Sequence, residues 1–383
     1  MVGLGCSHPP YCKVSLSLFH FFAQTFVGDR LGVIDPMRWS NATEWLLKKN
    51  GVADVDNAID PLMGLDRSNL WQPPSNLLHG NEIGRNALQD AKESAAKFER
   101  TYGRRPSLGV IRVGGAGTRY EHCERRLQLY SNPSNSWFTK ADVGKANGFD
   151  VTEIELDAAS TTTGSLLSEI YRLRDAVDGV QVMWPLPEHI DSARVFNAVP
   201  LSKDVDGIHF ASWGSNFPPV TPAGVMELLK GHNVDVRGKH VLVVGRSPIV
   251  GSPMALMLSD AGATVSVAHK SSRDADEGTF RDLVSKCDVL ISCAGSPGAI
   301  HADWLKEGVI VINVGTYFCE TANALLSDIE GDVESRAAKY SPVPGGVGPL
   351  SLPMLFRNVA KAAWDQMECG TSDTWTKEPA TLR

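Results

Sequence analysis

The stretch from Val243 to Lys270, VVGRSPIVGSPMALMLSDAGATVSVAHK, constrains the fold more than any other part of the chain. A short apolar run leads through a glycine-containing turn into a segment with helical periodicity, and a second apolar run follows. Two apolar strands joined by a helix predict a right-handed parallel βαβ unit. Helices cover both faces of a parallel sheet, so the pattern indicates an α/β domain with buried strands.

The same alternation recurs along most of the chain. After residue 217, the runs KHVLVVG, TVSVAH, CDVLISCAG and GVIVINVG each end in a polar or glycine turn and predict a doubly wound, Rossmann-type sheet. Thr221 should cap the helix that precedes this sheet, with Pro222 at its first position. Upstream, SLGVIRVGG, FDVTEIEL and GVQVMWPLP predict three further strands, and a helix should stop at Gly103.

These patterns predict two α/β domains and two flanking segments. Residues 78–217 together with the apolar helix at 348–369 form the first domain, and residues 218–347 form the second. Residues 1–77 are a poorly defined extension, and residues 370–383 are a tail. The apolar run from Val14 to Val27 has fourteen residues, too few to span a bilayer, and it lacks the charge pattern of a leader peptide. The compartment, cytoplasmic or mitochondrial, stays open.

Composition excludes several classes of function. A net charge of −7 over 383 residues gives no basic field for a nucleic-acid backbone, and we expect neither a nucleic-acid nor a membrane partner. The seven cysteines form no C-x-x-C pair and are odd in number, so we expect neither a disulfide framework nor a metal site.

The turn between Gly245 and Gly251 holds RSPIV, which is longer than the usual dinucleotide fingerprint. A helix begins at its end, and the free N–H groups and dipole of that helix suit a phosphate. The glycines alone would also fit an ordinary strand-to-helix turn. NAD sites usually place an acidic residue after the next strand, whereas here His269, Lys270 and two serines follow. A cation at that position favours the 2′-phosphate of NADP.

Six blocks, taken in order, resemble the bifunctional methylenetetrahydrofolate dehydrogenase/cyclohydrolase family. The blocks are VMWPLPEHI, KDVDGIHF, TPAGVMELL, GRSPIVGSP, GDVE and PVPGGVGPLSLPML. The resemblance implies tetrahydrofolate derivatives on the first domain, NADP on the second, a cleft between them and a homodimer. It also implies oxidation of 5,10-methylene- to 5,10-methenyl-tetrahydrofolate, followed by hydrolysis to 10-formyl-tetrahydrofolate.

The resemblance assigns residues to both ligands. Its cofactor-binding set is Gly245, Arg246, Ser247, Gly251, Lys270 and Thr316, with Thr316 at the nicotinamide. The family usually has serine at the position of Lys270. A lysine there can still contact a phosphate, and it adds a positive charge. Its folate-binding set is Met183, Pro185, Asp206 and Gly346. Asp206 falls on the carboxylate that accepts paired N–H groups of the pterin, although an Asp-Gly pair is also common in turns.

The family also has a catalytic lysine, four residues after a tyrosine on one helix face. Two alignments are open. Using Tyr120 puts Glu124 at the lysine position; the alignment that we prefer uses Lys140 and puts Ser136, or Trp137, at the tyrosine position. A lysine on an amphipathic helix is also commonly an ordinary surface residue.

Met183 marks a departure from the family, which has glutamine two residues before the first proline of the P-L-P block. Methionine makes no useful hydrogen bond, so we expect the lysine to lack its glutamine partner and methenyl hydrolysis to be slow relative to oxidation. The alternatives are a dehydrogenase-only enzyme, a folate- or nucleotide-binding pseudoenzyme, or a subunit of a larger complex. In that last case residues 1–77 and the insertion at 115–133 would be contact surfaces.

Overall fold

The computed structural model describes residues 76–114, 139–209, 217–319 and 324–368. Several predictions lie outside the described residues: those for almost all of the N-terminal extension, for the insertion at 115–133, for the tail, and for Tyr120, Glu124, Ser136 and Trp137. Within the described part of the chain, no helix is both long and apolar enough to cross a membrane.

The first part of the described chain folds around a parallel three-stranded sheet of order β2-β1-β3. Its elements are α1 (Asn81–Tyr102), β1 (Ser107–Val113), α2 (Lys140–Ala146), β2 (Asp150–Leu156), α3 (Thr163–Arg174), β3 (Gly179–Val182) and α4 (Ser192–Ala198). Helix α1 ends as predicted, because Gly103 takes a left-handed conformation with φ of 70° and donates its N–H to Glu99 O. The third strand ends before the prolines, at Val182.

The second part contains a parallel five-stranded sheet of order β12-β8-β6-β4-β5. Its elements are α5 (Val220–Gly231), β4 (His240–Val244), α6 (Gly251–Asp260), β5 (Thr264–Ala268), α7 (Lys270–Ala275), α8 (Glu277–Lys286), β6 (Val289–Ser292), β7 (Ile300–His301), β8 (Val309–Asn313), β9 (Thr316–Cys319), β10 (Ala324–Ser327), β11 (Ile329–Glu330) and β12 (Ala337–Tyr340), followed by α9 (Gly348–Glu368). The four predicted strands are present. The edge strand β12 was missed because its sequence, AAKY, carries little apolar signal.

Helix α5 starts differently from the prediction. It begins at Val220 with Pro219 at the N-cap, so Thr221 lies inside the first turn and makes no cap. The Thr221 hydroxyl lies 3.4 Å from Ser351 Oγ on α9 instead. The expected cap at Thr221 is therefore wrong by two residues, because Pro219 already supplies the extended backbone that precedes the helix.

The last helix, α9, returns to the first sheet. Phe356 is fully buried, and its ring lies 4.7 Å from that of Phe149, which precedes β2. Leu355 and Val359 join the same apolar cluster as Leu108 of β1. At its start, α9 contributes Leu350 to the cluster around β4, so one helix packs against both sheets.

Candidate functional site

Lys140 is held at the first position of α2 by a capping box. Thr139 Oγ1 accepts a hydrogen bond from Asp142 N at 3.1 Å, and Asp142 Oδ2 accepts one from Thr139 N at 2.9 Å. The next amide, Ala141 N, donates to Glu153 Oε1 of β2 at 2.8 Å. These bonds satisfy amides that a helix start leaves unpaired, and they fix the half-buried Lys140 beside the sheet.

Lys140, Gln181 and Asp206 form a hydrogen-bonded chain. Lys140 Nζ donates to Gln181 Oε1 at 2.7 Å, and Gln181 Nε2 donates to Asp206 Oδ1 at 2.8 Å. An ammonium only donates and a carboxylate only accepts, so the amide has one orientation that satisfies both neighbours. Gln181 is 7% exposed on the central part of β3, which makes this amide a rigid link between a cation and an anion.

The expectation that the lysine lacks a glutamine partner is wrong. Gln181 supplies that partner two residues before Met183, and Met183 extends the strand pairing by donating its N–H to Ile111 O at 2.9 Å. Residues two apart along a strand project from the same face. A glutamine at position 181 therefore lies on the same face as one at position 183 would, and that face is near Lys140. Met183 instead packs against the apolar cluster that contains Leu108. The strand period of two in GVQVMW is the signal that could have identified Gln181 from the sequence.

Asp206 has a strongly perturbed carboxyl group. Burial, aided by the neighbouring charge of Asp204, raises the pKa of Asp206 to about 6, although Lys140 and the bond from Gln181 act in the opposite direction. The carboxyl is therefore mostly ionised at pH 7 and becomes protonated as the pH falls through about 6. Perturbation by burial together with a specific charge partner is typical of functional sites.

The turn that carries Asp206 is fixed by Asp204. This fully buried carboxylate accepts hydrogen bonds from Ile208 N and His209 N, both at 2.9 Å, and its Oδ2 lies 3.2 Å from His209 Nδ1. Gly207 takes φ of 72° in the same turn. Asp204 therefore shapes the backbone of this turn, and Asp206 is the carboxylate that bonds to the lysine chain through Gln181.

The other two residues of the predicted folate set lie apart from this chain of bonds. Pro185 is exposed just beyond β3, after Trp184, whose ring stacks on Phe196 at 4.3 Å. Gly346 is buried, and a Cβ there would lie 2.7 Å from Pro342 O, so the packing of the chain itself already explains this glycine.

The turn after β4 has the features of a phosphate-binding loop. Gly245 takes φ of 127°, and a Cβ on it would lie 2.5 Å from Cys293 O; Gly251 is as tightly packed against the Gly245 backbone. Ser247 Oγ accepts from Val250 N at 3.2 Å, which orders the loop, while Arg246 and Ser247 are exposed at its rim. At the start of α6, Gly251 N donates to Ser247 Oγ at 3.4 Å and Ser252 N donates to Ser247 O at 3.0 Å, so these amides already have partners within the loop.

Two cations stand beyond β5. Lys270 is exposed and Arg273, which the sequence reasoning missed, donates to Ala299 O at 3.2 Å. They line a shallow hollow whose walls also include Val244, Phe280, Ala294 and Ala299. His269 caps α7 by accepting from Ser271 N at 3.3 Å, which assigns it a structural role.

Thr316, the predicted nicotinamide residue, begins β9, directly after Gly315. It is half-buried and pairs with Ser327 of β10 in an antiparallel hairpin. Strand β8 pairs with β6, and β6 pairs with β4, all in parallel. Gly315 follows β8 and Gly245 follows β4, so Thr316 and the Gly245 turn both lie at the carboxyl end of the sheet.

Two family models match the chain. The model described as the tetrahydrofolate dehydrogenase/cyclohydrolase catalytic domain matches residues 78–206, and the NAD(P)-binding domain of the same family matches residues 219–367. The chain therefore belongs to the tetrahydrofolate dehydrogenase/cyclohydrolase family.

Individual relatives agree with this family. Bifunctional protein FolD of Cellvibrio japonicus is 33% identical over 291 residues, which cover 73% of this chain and 94% of the relative. The crystal structure of Trypanosoma brucei methylenetetrahydrofolate dehydrogenase-cyclohydrolase, complexed with NADP cofactor and inhibitor, has a TM-score of 0.66 and 31% identity, covering 77% of this chain and 99% of that one. The bifunctional FolD enzyme of Campylobacter jejuni has a TM-score of 0.65 and 32% identity, with coverage of 76% and 98%.

Proposed function

We propose that this chain oxidises 5,10-methylenetetrahydrofolate with NADP and also hydrolyses the resulting methenyl derivative to 10-formyl-tetrahydrofolate. The observation that carries the proposal is the Lys140–Gln181–Asp206 chain, with bonds of 2.7 and 2.8 Å. Its two ends are a carboxylate suited to the pterin edge and an amine able to move protons. Both reactions act on one carbon, so one site serves both.

In the oxidation, positioning is the main contribution of the protein. Asp206, ionised above pH 6, accepts paired N–H groups of the pterin and holds the folate in place. Bound NADP would supply the acceptor for the hydride that leaves the bridging carbon. The chain must present the folate to that acceptor and exclude water while it does so.

In the hydrolysis, water attacks the same carbon, and a proton must be taken up and returned. Lys140 is the group for that role, because lysine pKa values respond readily to burial and neighbours. Gln181 holds the amine at a fixed position through its Oε1 atom. A positioned acid or base contributes about a hundred- to ten-thousand-fold to such a step.

The residues around β4 and β5 fit NADP. The exposed Arg246 would supply a donor at the rim of the Gly245 turn, and Lys270 with Arg273 would supply charge for a 2′-phosphate. The resemblance adds Ser247 and Thr316 to this set.

The proposal includes the domain division 78–217 with 348–369 against 218–347. The packing of Phe356 and Val359 of α9 beside β1 supports the return of the last helix to the first domain. It also includes the homodimer that the resemblance implies, which light scattering of the purified chain would test.

The direct experiment incubates the purified chain with methylenetetrahydrofolate and either NADP or NAD. NADPH formation and methenyl absorbance are followed separately. Lys140→Met should abolish hydrolysis, and Lys145→Met, an exposed lysine on the same helix, is the matched control. No turnover with NADP, or unchanged hydrolysis in Lys140→Met, would contradict the proposal.

A further inference from the structure

A buried carboxylate at the carboxyl end of the five-stranded sheet has no role in the site described above. Asp328, between β10 and β11, is 1% exposed. Ser292 Oγ and Ala294 N donate to its Oδ2 at 2.8 and 2.9 Å, and Ser296 N donates to its Oδ1 at 2.9 Å. All three donors belong to the end of β6 and the loop that follows it.

The same residue also ties down the segment after β8. Asp328 N donates to Asn313 Oδ1 at 3.1 Å, and Asn313 Nδ2 donates to Gly315 O at 2.6 Å. Gly315 lies against the carboxylate so closely that a Cβ would be 2.5 Å from Asp328 Oδ1. The segment that leads into Thr316 is therefore fixed to the same carboxylate as the loop after β6.

These two loops adjoin the phosphate turn. A Cβ on Gly245 would lie 2.5 Å from Cys293 O, which places the loop after β6 directly beside that turn. Ligands of doubly wound sheets bind at the carboxyl ends of the strands. The loops after β4, β6 and β8 thus form one edge, and Asp328 joins two of them.

We propose that Asp328 is a positioning residue for the dinucleotide, which sets the loops after β6 and β8 at the spacing that the nicotinamide half of the cofactor requires. The inference rests on the proposed use of NADP. Burial raises the pKa of Asp328, and the O–H donor of Ser292 with the N–H donors of Ala294 and Ser296 stabilises the carboxylate. A side chain that must accept at both oxygens cannot be replaced by an amide, because the NH₂ group would face one of these donors.

The test is Asp328→Asn in the full chain, with Asp332→Asn as control. Asp332 is an exposed carboxylate on the same segment, bonded locally to Ser335 N at 3.1 Å. The readouts are NADPH affinity by fluorescence titration, KM for NADP, and hydrolysis of methenyltetrahydrofolate without any dinucleotide. We expect Asp328→Asn to weaken NADPH binding and raise KM by about tenfold or more, with hydrolysis unchanged, because one buried donor loses its partner.

The split between the two activities separates positioning from general damage. Loss of both activities in parallel, or NADPH affinity and KM that match the wild type, would overturn the proposal. If Asp328→Asn does not fold, Ser292→Ala removes a single donor at a fully buried position and should raise KM by a smaller factor, and an unchanged KM there would also contradict it. A wild-type chain that binds NADPH but does not turn over folate would reject the proposed function and leave the Asp328 titration valid.

Discussion

Replacing Gln181 by methionine removes the link between Lys140 and Asp206 while keeping a side chain of similar length. The change deletes two hydrogen bonds, of 2.7 and 2.8 Å, and both involve charged groups. Hydrogen bonds to charged groups contribute about 1.5–3 kcal/mol each, and a positioned acid or base contributes about 10²–10⁴ in rate. We expect methenyl hydrolysis to fall about a hundredfold, which corresponds to about 2.7 kcal/mol in the barrier.

Oxidation should respond less, because it depends mainly on how the two rings are placed. The assay measures the loss of methenyl absorbance without NADP, and separately NADPH formation from methylenetetrahydrofolate. The control is Met183→Gln, which restores the spacing typical of the family. Since Gln181 already occupies the lysine, this variant should match the wild type within about twofold. Unchanged hydrolysis in Gln181→Met, or a large gain in Met183→Gln, would refute the reasoning.

Four further predictions concern three residues, Asp206, Lys270 and Asp178. Asp206→Ala should abolish folate turnover while NADPH titration stays normal, and normal folate binding in that variant would contradict the assignment. Burial raises the pKa of Asp206 to about 6, so burying the ionised carboxylate costs stability above pH 6. This cost disappears toward about pH 4, where the carboxyl is protonated in the folded chain. Asp206→Asn should therefore be more thermally stable than the wild type at about pH 8 but not at about pH 4.5. Lys270→Asp should weaken NADP relative to NAD, because charge reversal repels a 2′-phosphate, and an unchanged ratio of kcat/KM would count against it. Asp178→Ala should lower the free energy of unfolding by about 1–2 kcal/mol in urea titration, because Ser107 N loses its acceptor at 2.8 Å, whereas the exposed guanidinium of Arg104 is rehydrated; a loss below about 0.5 kcal/mol would disagree.

The parallel sheets could be predicted from sequence because their strands are apolar on both faces. Strands β4, β6 and β8 were identified for that reason, whereas β12 is short and half-exposed and gave no such signal. The phosphate turn was equally accessible, since glycines and a following helix leave a local pattern.

The catalytic side chains depended on distances that local patterns do not contain. The position of Gln181 was missed because a fixed spacing from the prolines was carried over, and the strand had shifted its functional residue by two positions. Asp328 was missed because its partners, Ser292 and Asn313, lie 36 and 15 residues away in sequence. Arg273 was missed because one arginine on a short helix has no distinguishing pattern in sequence, and its partial burial against Ala299 comes from the tertiary structure.

The most direct test of the account is the product formed by the wild-type chain from methylenetetrahydrofolate and NADP. If the Lys140–Gln181–Asp206 chain supports both reactions, 10-formyl-tetrahydrofolate should appear together with NADPH, and its formation should depend on Lys140, the group proposed to move the proton in the hydrolysis. Methenyl-tetrahydrofolate that accumulates in equal amount with NADPH, and disappears no faster with the wild type than with Lys140→Met, would contradict the account.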